Sequence, residues 1–254
     1  SHYFYFIAHT AVPYFMGGNG TGRSFSINGT TNIYATSAWH HVAFQRWNNQ
    51  AMLFVDGICE KVITSSTDPD VAGPIDARGG LRFGENLTYS EDFDGKIGEL
   101  RITKGIPRYT PDGASKSGII PAGSEGYAGV TGTLIPTSPY LRPTPFVAAD
   151  GGRGYFANTN VKLWIKSDTY PGSTTFTDFA GSIGQSAKTI TNSGHVAGDR
   201  PILQTGTGEF ALSGGSDAIY IPAGDSLQIP YHTDIFDWGT SDFTIEWWYR
   251  REGT

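Results

Sequence analysis

Trp39-His40-His41-Val42-Ala43-Phe44-Gln45-Arg46-Trp47, then Asn48-Asn49, then Ala51-Met52-Leu53-Phe54-Val55-Asp56-Gly57 is the stretch that decides the fold. Two apolar runs of strand length flank an Asn-Asn pair, and a second turn signal, Asp56-Gly57, follows. Asn, Asp and Gly tolerate the φ > 0 that tight hairpin turns demand, so the spacing predicts consecutive antiparallel strands. Successive side chains of a strand point to opposite faces. One set from each run therefore faces a sandwich interior, with Trp39 as a large core anchor.

The same pattern extends on both sides. Strand-like runs at Tyr3 to Ala8, Ser24 to Ile27, Ile58 to Thr64, Leu81 to Phe83 and Lys96 to Thr103 alternate with turn signals at Asn19-Gly20, Asn28-Gly29 and Asp94-Gly95. From Gly105 to about Asn158 the character changes. Pro107, Pro111, Pro121, Pro136, Pro139, Pro143 and Pro145 are seven of the chain's 14 prolines, a density that regular strands do not absorb. This segment reads as a linker or extended arm. Its apolar pairs Ile119-Ile120, Leu134-Ile135, Tyr140-Leu141 and Phe146-Val147 predict that it lies against a surface of its own or a neighbouring subunit. The β pattern resumes at Val161 to Ile165, Thr174 to Thr177, Lys188 to Thr191, Pro201 to Gln204, Glu209 to Leu212, Ala218 to Pro222 and Phe243 to Arg250. The chain thus divides into residues 1–105, a Pro/Gly-rich segment 106–158, and residues 159–254.

Composition agrees with short strands and turns. Aromatics make up 13% and charged residues 17%, with 34 glycines and two methionines, so almost no helix is expected. The net charge of −6 is scattered, without the basic stripe that phosphate neutralisation needs, which argues against nucleic acid as a partner. A single cysteine, Cys59, excludes an intramolecular disulfide and a thiolate metal site. No run approaches the ~20 apolar residues of a membrane helix, and His2 to Phe6 is too short for a signal core. The missing initiator methionine suggests a piece of a longer chain.

The Trp39–Gly57 hairpin resembles the central hairpin of the laminin-G-like, concanavalin A-like lectin/glucanase superfamily. Phe93-Asp94-Gly95-Lys96-Ile97-Gly98-Glu99-Leu100-Arg101-Ile102-Thr103-Lys104-Gly105, followed by Arg108-Tyr109-Thr110, resembles that domain's closing strand. Val161 to Ile165, Gly172 to Asp178, Gly208 to Leu212, Ala218 to Pro222 and Asp242-Phe243-Thr244-Ile245-Glu246-Trp247-Trp248 resemble its opening, in the group common among phage structural proteins. The resemblance implies an all-β jelly-roll sandwich whose two halves stand in reversed order. A window cut from tandem domains, a unit completed by a neighbouring copy, and a circular permutant would each give this order. It also implies a non-catalytic role in a virion, fibre or surface assembly that binds a glycan, adjacent domains or neighbouring copies, without membrane insertion. A cell-surface filament adhesin and, more distantly, a polysaccharide-acting hydrolase are the alternatives.

Glucanases of the superfamily need paired carboxylates on one strand. Asp92, Asp94 and Glu99, or Glu246 with Glu252, lack that spacing. Asp94-Gly95 suits a turn, and Glu246 suits the solvent side of an alternating strand, so no catalytic residue is assigned. His40 and His41 face opposite ways and cannot share one ion, which places them at a core edge or surface. Related lectin domains hold calcium in loops, which makes Asp178, Asp237 and Asp242 the calcium candidates; each also suits a turn or cap. Trp47, Trp238 and Tyr231 are the candidate sugar-stacking aromatics. Gly17 to Gly22 lacks the lysine of a phosphate loop and reads as a hairpin loop. Without a secretory route, Asn19, Asn28 and Asn86 are not expected to be glycosylated.

Overall fold

A computed structural model of the chain describes residues 4–7, 12–18, 24–34, 38–56, 58–76, 80–86, 91–105, 160–165, 174–183, 185–194, 202–204 and 218–252, with two short strands between 106 and 159. The first half supplies β1 (Phe4–Ile7), β2 (Tyr14–Gly18), β3 (Ser24–Asn28), β4 (His40–Trp47), β5 (Gln50–Val55), β6 (Ile58–Thr64), β7 (Ile75–Asp76), β8 (Leu81–Phe83), β9 (Glu85–Asn86), β10 (Glu91–Asp92) and β11 (Gly95–Lys104). Strands β12 (Thr110–Pro111) and β13 (Gly118–Ile119) pair with each other. The second half supplies β14 (Val161–Ile165), β15 (Thr191–Gly194), β16 (Ile202–Gln204), β17 (Ala218–Ile221), β18 (Asp225–Ile229), β19 (Asp237–Gly239) and β20 (Phe243–Arg251). Among the described residues the α-helix is a single four-residue turn, α1 (Thr233–Phe236), in line with the composition.

The largest sheet runs β16-β17-β11-β20-β4-β5-β6, with β14 also paired to β11. The last strand of the chain, β20, lies between β11 and β4, both from the first half, and pairs antiparallel with each. Smaller sheets β15-β18-β8 and β19-β7 likewise join strands of the two halves, while β1-β2-β3 is local. The architecture is an all-β, antiparallel sandwich whose sheets combine strands from both halves of the chain.

The decisive hairpin forms as its sequence predicts. Asn48 and Asn49 adopt φ of 49° and 57°, and Asp56 adopts 49°, the left-handed values that turn the chain between β4, β5 and β6. Strand β20 alternates cleanly. Phe243, Ile245, Trp247 and Tyr249 enter the main core with Val42 and Phe44 of β4 and Leu53 of β5, against Phe15, Phe25 and Leu227 from the facing strands. Phe15 stacks on Phe44 at 4.7 Å between centroids, and Trp238 on Phe243 at 4.4 Å. Each such large apolar side chain contributes about 1.5–3 kcal/mol on burial. Gly84, with φ of 113°, lies so close to the carbonyl of Asp225 that a Cβ would collide with it, so glycine permits the approach of the β8 region to β18.

Several expectations need correction. Trp39 is half-buried and outside both apolar clusters, so Trp247 and Trp238 anchor the core instead. Thr174 to Thr177 is not a strand, because that segment runs into an isolated bridge at Asp178 and the 3-10 turn Phe179–Ile183. The strand expected at Lys188 to Thr191 lies at Thr191–Gly194, where pairing with β18 determines it. Strands β2 and β18 have no counterpart among the expected strands, although both pair over several residues. Glu209 to Leu212 and most of 106–158 lie outside the described residues.

Candidate functional site

Chemistry-bearing side chains converge on the outer face of the large sheet, the side of β20 opposite the main core. There the alternation of β20 presents Thr244, Glu246 and Trp248. The register sets Arg101 of β11 and Ala43 of β4 on either side of Glu246, and His41 beside Trp248. Arg101 Nε donates to Glu246 Oε1 at 2.8 Å and its Nη2 stands 2.7 Å from the same oxygen. His41 Nε2 lies 3.4 Å from Glu246 Oε2, with its ring edge-on to Trp248 at 5.2 Å. Thr244 Oγ1 donates to Gln45 Oε1 at 2.9 Å in the next row.

Glu246 is only 1% exposed. The expectation that it faces solvent is therefore half right, since alternation places it away from the main core, but the outer face is itself buried. A buried carboxylate is tolerable when its charge is compensated, as the Arg101 guanidinium does here. The two histidines engage different carboxylates, as alternation requires. His40 Nδ1 is 2.7 Å from Asp56 Oδ2, while the backbone N–H of His41 donates to Asp56 Oδ1 at 2.8 Å.

Glu246 and Glu252 do not form a glycosidase acid pair. Such pairs stand about 5–10 Å apart. Glu252, just past the end of β20 and six positions from Glu246, is about 20 Å away at the rise of a strand, and it pairs with Lys96 Nζ at 2.8 Å. Asp94 accepts the Tyr220 hydroxyl at 3.0 Å at the same distant end. The side chains of Asp92 and Glu99 lie outside the description.

The calcium candidates are not brought together. Asp178 is buried with its carboxylate filled by backbone N–H donors, Trp164 and Ala180 on Oδ1 and Lys188 on Oδ2, each at 2.9 Å. It fastens the Phe179–Ile183 turn to β14 and is a structural anchor. Asp242 Oδ1 accepts the N–H of Asn48 at 3.1 Å, and burial raises its pKa against the opposing pull of that bond and of Arg46. Asp237 is exposed, and its carbonyl receives Lys104 Nζ at 2.6 Å. Among the described residues no three His, Cys, Asp or Glu side chains form a metal-binding group. Asp178→Ala is expected to destabilise the fold by about 2–4 kcal/mol, measured by urea denaturation, because three buried N–H groups lose a charged acceptor. An unchanged midpoint in calcium-free buffer would contradict this.

Of the aromatic candidates, Trp238 is core, 1% exposed and stacked on Phe243. Tyr231 is half-buried beside Phe236, and Trp47 is half-buried against Ala43, Met52, Phe54 and Cys59. Sequence reasoning missed Arg101 and Arg46. Each is a charged residue inside a strand pattern, which is the available signal, but only the register shows what each one meets. Gly17 and Gly18 end β2, which pairs antiparallel with β3, and Asn19 to Gly22 lie outside the described residues.

Glu246→Gln tests the outer-face ion pair. The amide keeps the shape and removes the charge that Arg101 requires, so a loss of about 1.5–3 kcal/mol is expected in chemical denaturation. Combining it with Arg101→Met should recover part of that loss, since replacing both partners strands neither.

Residues 2–106 match the model of a laminin-G-like family described as the concanavalin A-like lectin/glucanases superfamily. No curated protein and no solved structure matches the chain. The antiparallel, nearly helix-free sandwich agrees with that family's architecture. Over residues 2–106 the chain is thus similar to the concanavalin A-like lectin/glucanases superfamily, and the described strands form an all-β, antiparallel fold in keeping with that similarity.

Proposed function

We propose that the chain is a non-catalytic binding and assembly module, a virion, fibre or surface protein whose lectin-like sandwich engages a glycan or neighbouring subunits. The observation that carries the reading is the state of Glu246, the carboxylate at the centre of the large sheet. It is compensated by Arg101 and His41. A side chain held this way maintains structure rather than transferring protons. A fold alone does not assign a function, so the virion, fibre or surface setting rests on analogy with the resemblance of residues 161–250.

The reversed order of the halves is read as a circular permutation. The pairing of β20 between β11 and β4 of the same chain supports this reading over a tandem window. Glycan recognition would then use loops at the ends of the sandwich, with half-buried Trp47 and Tyr231 as the aromatic surfaces available for a sugar ring.

A glycan array probed with and without calcium, combined with light scattering to determine oligomeric state, tests the proposal. Binding to a glycan class, or a defined oligomer, is the expected result. A monomer silent across the array would overturn it. Release of reducing ends from a polysaccharide, lost in Glu246→Gln, would instead establish the hydrolase alternative.

A further inference from the structure

Among the described residues the exposed large apolar side chains are Ile58, 49% exposed, and Val62, 37% exposed, and both belong to β6. That strand ends the described order of the large sheet. Pairing with β5 sets Ile58 opposite Val55 and Lys61 opposite Leu53, which enter the main core, and Val62 opposite Met52 of the outer cluster. Ile58, Lys61 and Val62 are thus all exposed although they belong to two different faces of the sheet. A strand at the rim of its sheet exposes side chains of both faces in this way.

The sequence of β6 is self-complementary. Ile58-Cys59-Glu60-Lys61-Val62-Ile63 reads apolar, apolar, acidic, basic, apolar, apolar. Laid antiparallel on a second copy about a two-fold axis between Glu60 and Lys61, it sets Ile58 opposite Ile63, Cys59 opposite Val62 and Glu60 opposite Lys61. Residues opposite one another in an antiparallel pair share a face, whereas strict alternation would put the members of each of these pairs on different faces. The register shift at Glu60 removes that conflict. Two steps on β6, from Cys59 to Lys61, answer one on β5, from Phe54 to Leu53, so the alternation restarts. Ile58 and Ile63, opposite Val55 and Ala51, then share the core side, while Cys59 and Val62, opposite Phe54 and Met52, share the outer side. Lys61 is on the core side with Leu53. Glu60 reaches the same side, where its carboxylate accepts the N–H of Thr30 at 2.7 Å, the N–H of Thr31 at 3.1 Å and the Thr31 hydroxyl. Those donors are neutral, so they orient the carboxylate without cancelling its charge. A lysine and a bulge ordinarily blunt an edge against pairing. Here the acid beside the lysine and the restarted alternation make the same two devices fit a second copy.

We propose that β6 is a self-association edge, joining two copies of this chain antiparallel across Ile58 to Ile63 so that their large sheets become continuous. The proposal rests on the assembly reading above and names its surface and its partner. Light scattering and sedimentation of the complete chain over a concentration series read the association. A reversible dimer is expected. Lys61→Glu, which sets like charges opposite one another at both symmetry-related places, is expected to weaken it at least about tenfold with the β circular dichroism unchanged. A chain monomeric throughout the series, or a dimer indifferent to Lys61→Glu, overturns the edge. A monomer that binds glycan, or a dimer formed by another surface, overturns the edge alone and leaves the binding and assembly reading standing. Should Lys61→Glu not fold, Val62→Cys decides. The introduced thiol would lie opposite Cys59 of the other copy, whereas within one chain the two positions are about 10 Å apart along the strand and cannot bridge. A covalent dimer under mild oxidation, absent from the unaltered single-cysteine chain, supports the edge; its absence from a folded variant overturns it.

Discussion

Residues 1–105 and residues 160–254, produced as separate polypeptides, are each expected to be unfolded or aggregated. Mixed from denaturant, they should recover a single cooperative β-sheet transition. The expectation follows from strand order. Without the second half, β11 and β4 lose the strand that lies between them, leaving two open edges in the middle of the largest sheet. Without the first half, β20 has neither neighbour and exposes Phe243, Ile245, Trp247 and Tyr249 from the core. Both situations present unpaired backbone and a broad apolar surface, the features that drive aggregation. Size-exclusion chromatography and circular dichroism of the separate and mixed fragments provide the check. A soluble, cooperatively melting 1–105 fragment would refute the single-domain reading, because it would place a complete core in the first half.

Arg46→Ala is expected to give the largest loss of any single substitution considered, about 3–5 kcal/mol by urea denaturation. Arg46 is 1% exposed and its guanidinium holds three backbone carbonyls from two distant segments. Nη1 donates to Gly73 at 2.7 Å, Nη2 to Gly239 at 2.5 Å and to Ser241 at 2.7 Å, and Nε to Ser241 at 3.1 Å. It also lies over the Phe243 ring at 5.3 Å. Burial lowers its pKa to about 10, opposed by Asp242, so the group remains charged at neutral pH and its donors stay in place. Removal strands buried carbonyls of the β19–β20 connection and leaves a cavity beside a core aromatic. Arg46→Lys should recover little, since one ammonium cannot match the planar fork that reaches both segments. A loss below 1 kcal/mol for Arg46→Ala would show that solvent satisfies those carbonyls and that the clamp is dispensable.

The two predictions address one design. The halves are joined by strand pairing across the sheet and by a buried guanidinium that ties a loop of the second half to a strand of the first. Neither link is local in sequence. Ser241 and Arg46 are close in space only because β20 lies beside β4, where Phe243 pairs with Arg46.

Periodicity and turn chemistry by themselves determined the all-β class, the β4-β5-β6 hairpins with left-handed Asn48, Asn49 and Asp56, and the inward alternation of β20. These are properties of neighbouring residues, so the local sequence contains them in full. What covers a strand's second face is not local. Hence Glu246, correctly assigned to the side away from the core, proved buried against Arg101 and His41, and Asp178 proved an anchor for three backbone donors rather than a loop ligand. Short strands such as β18 form where β15 and β8 offer paired edges. Only the tertiary structure decided that the two halves complete one sheet, because strand partnership depends on a register between segments some two hundred positions apart, and no local pattern encodes it.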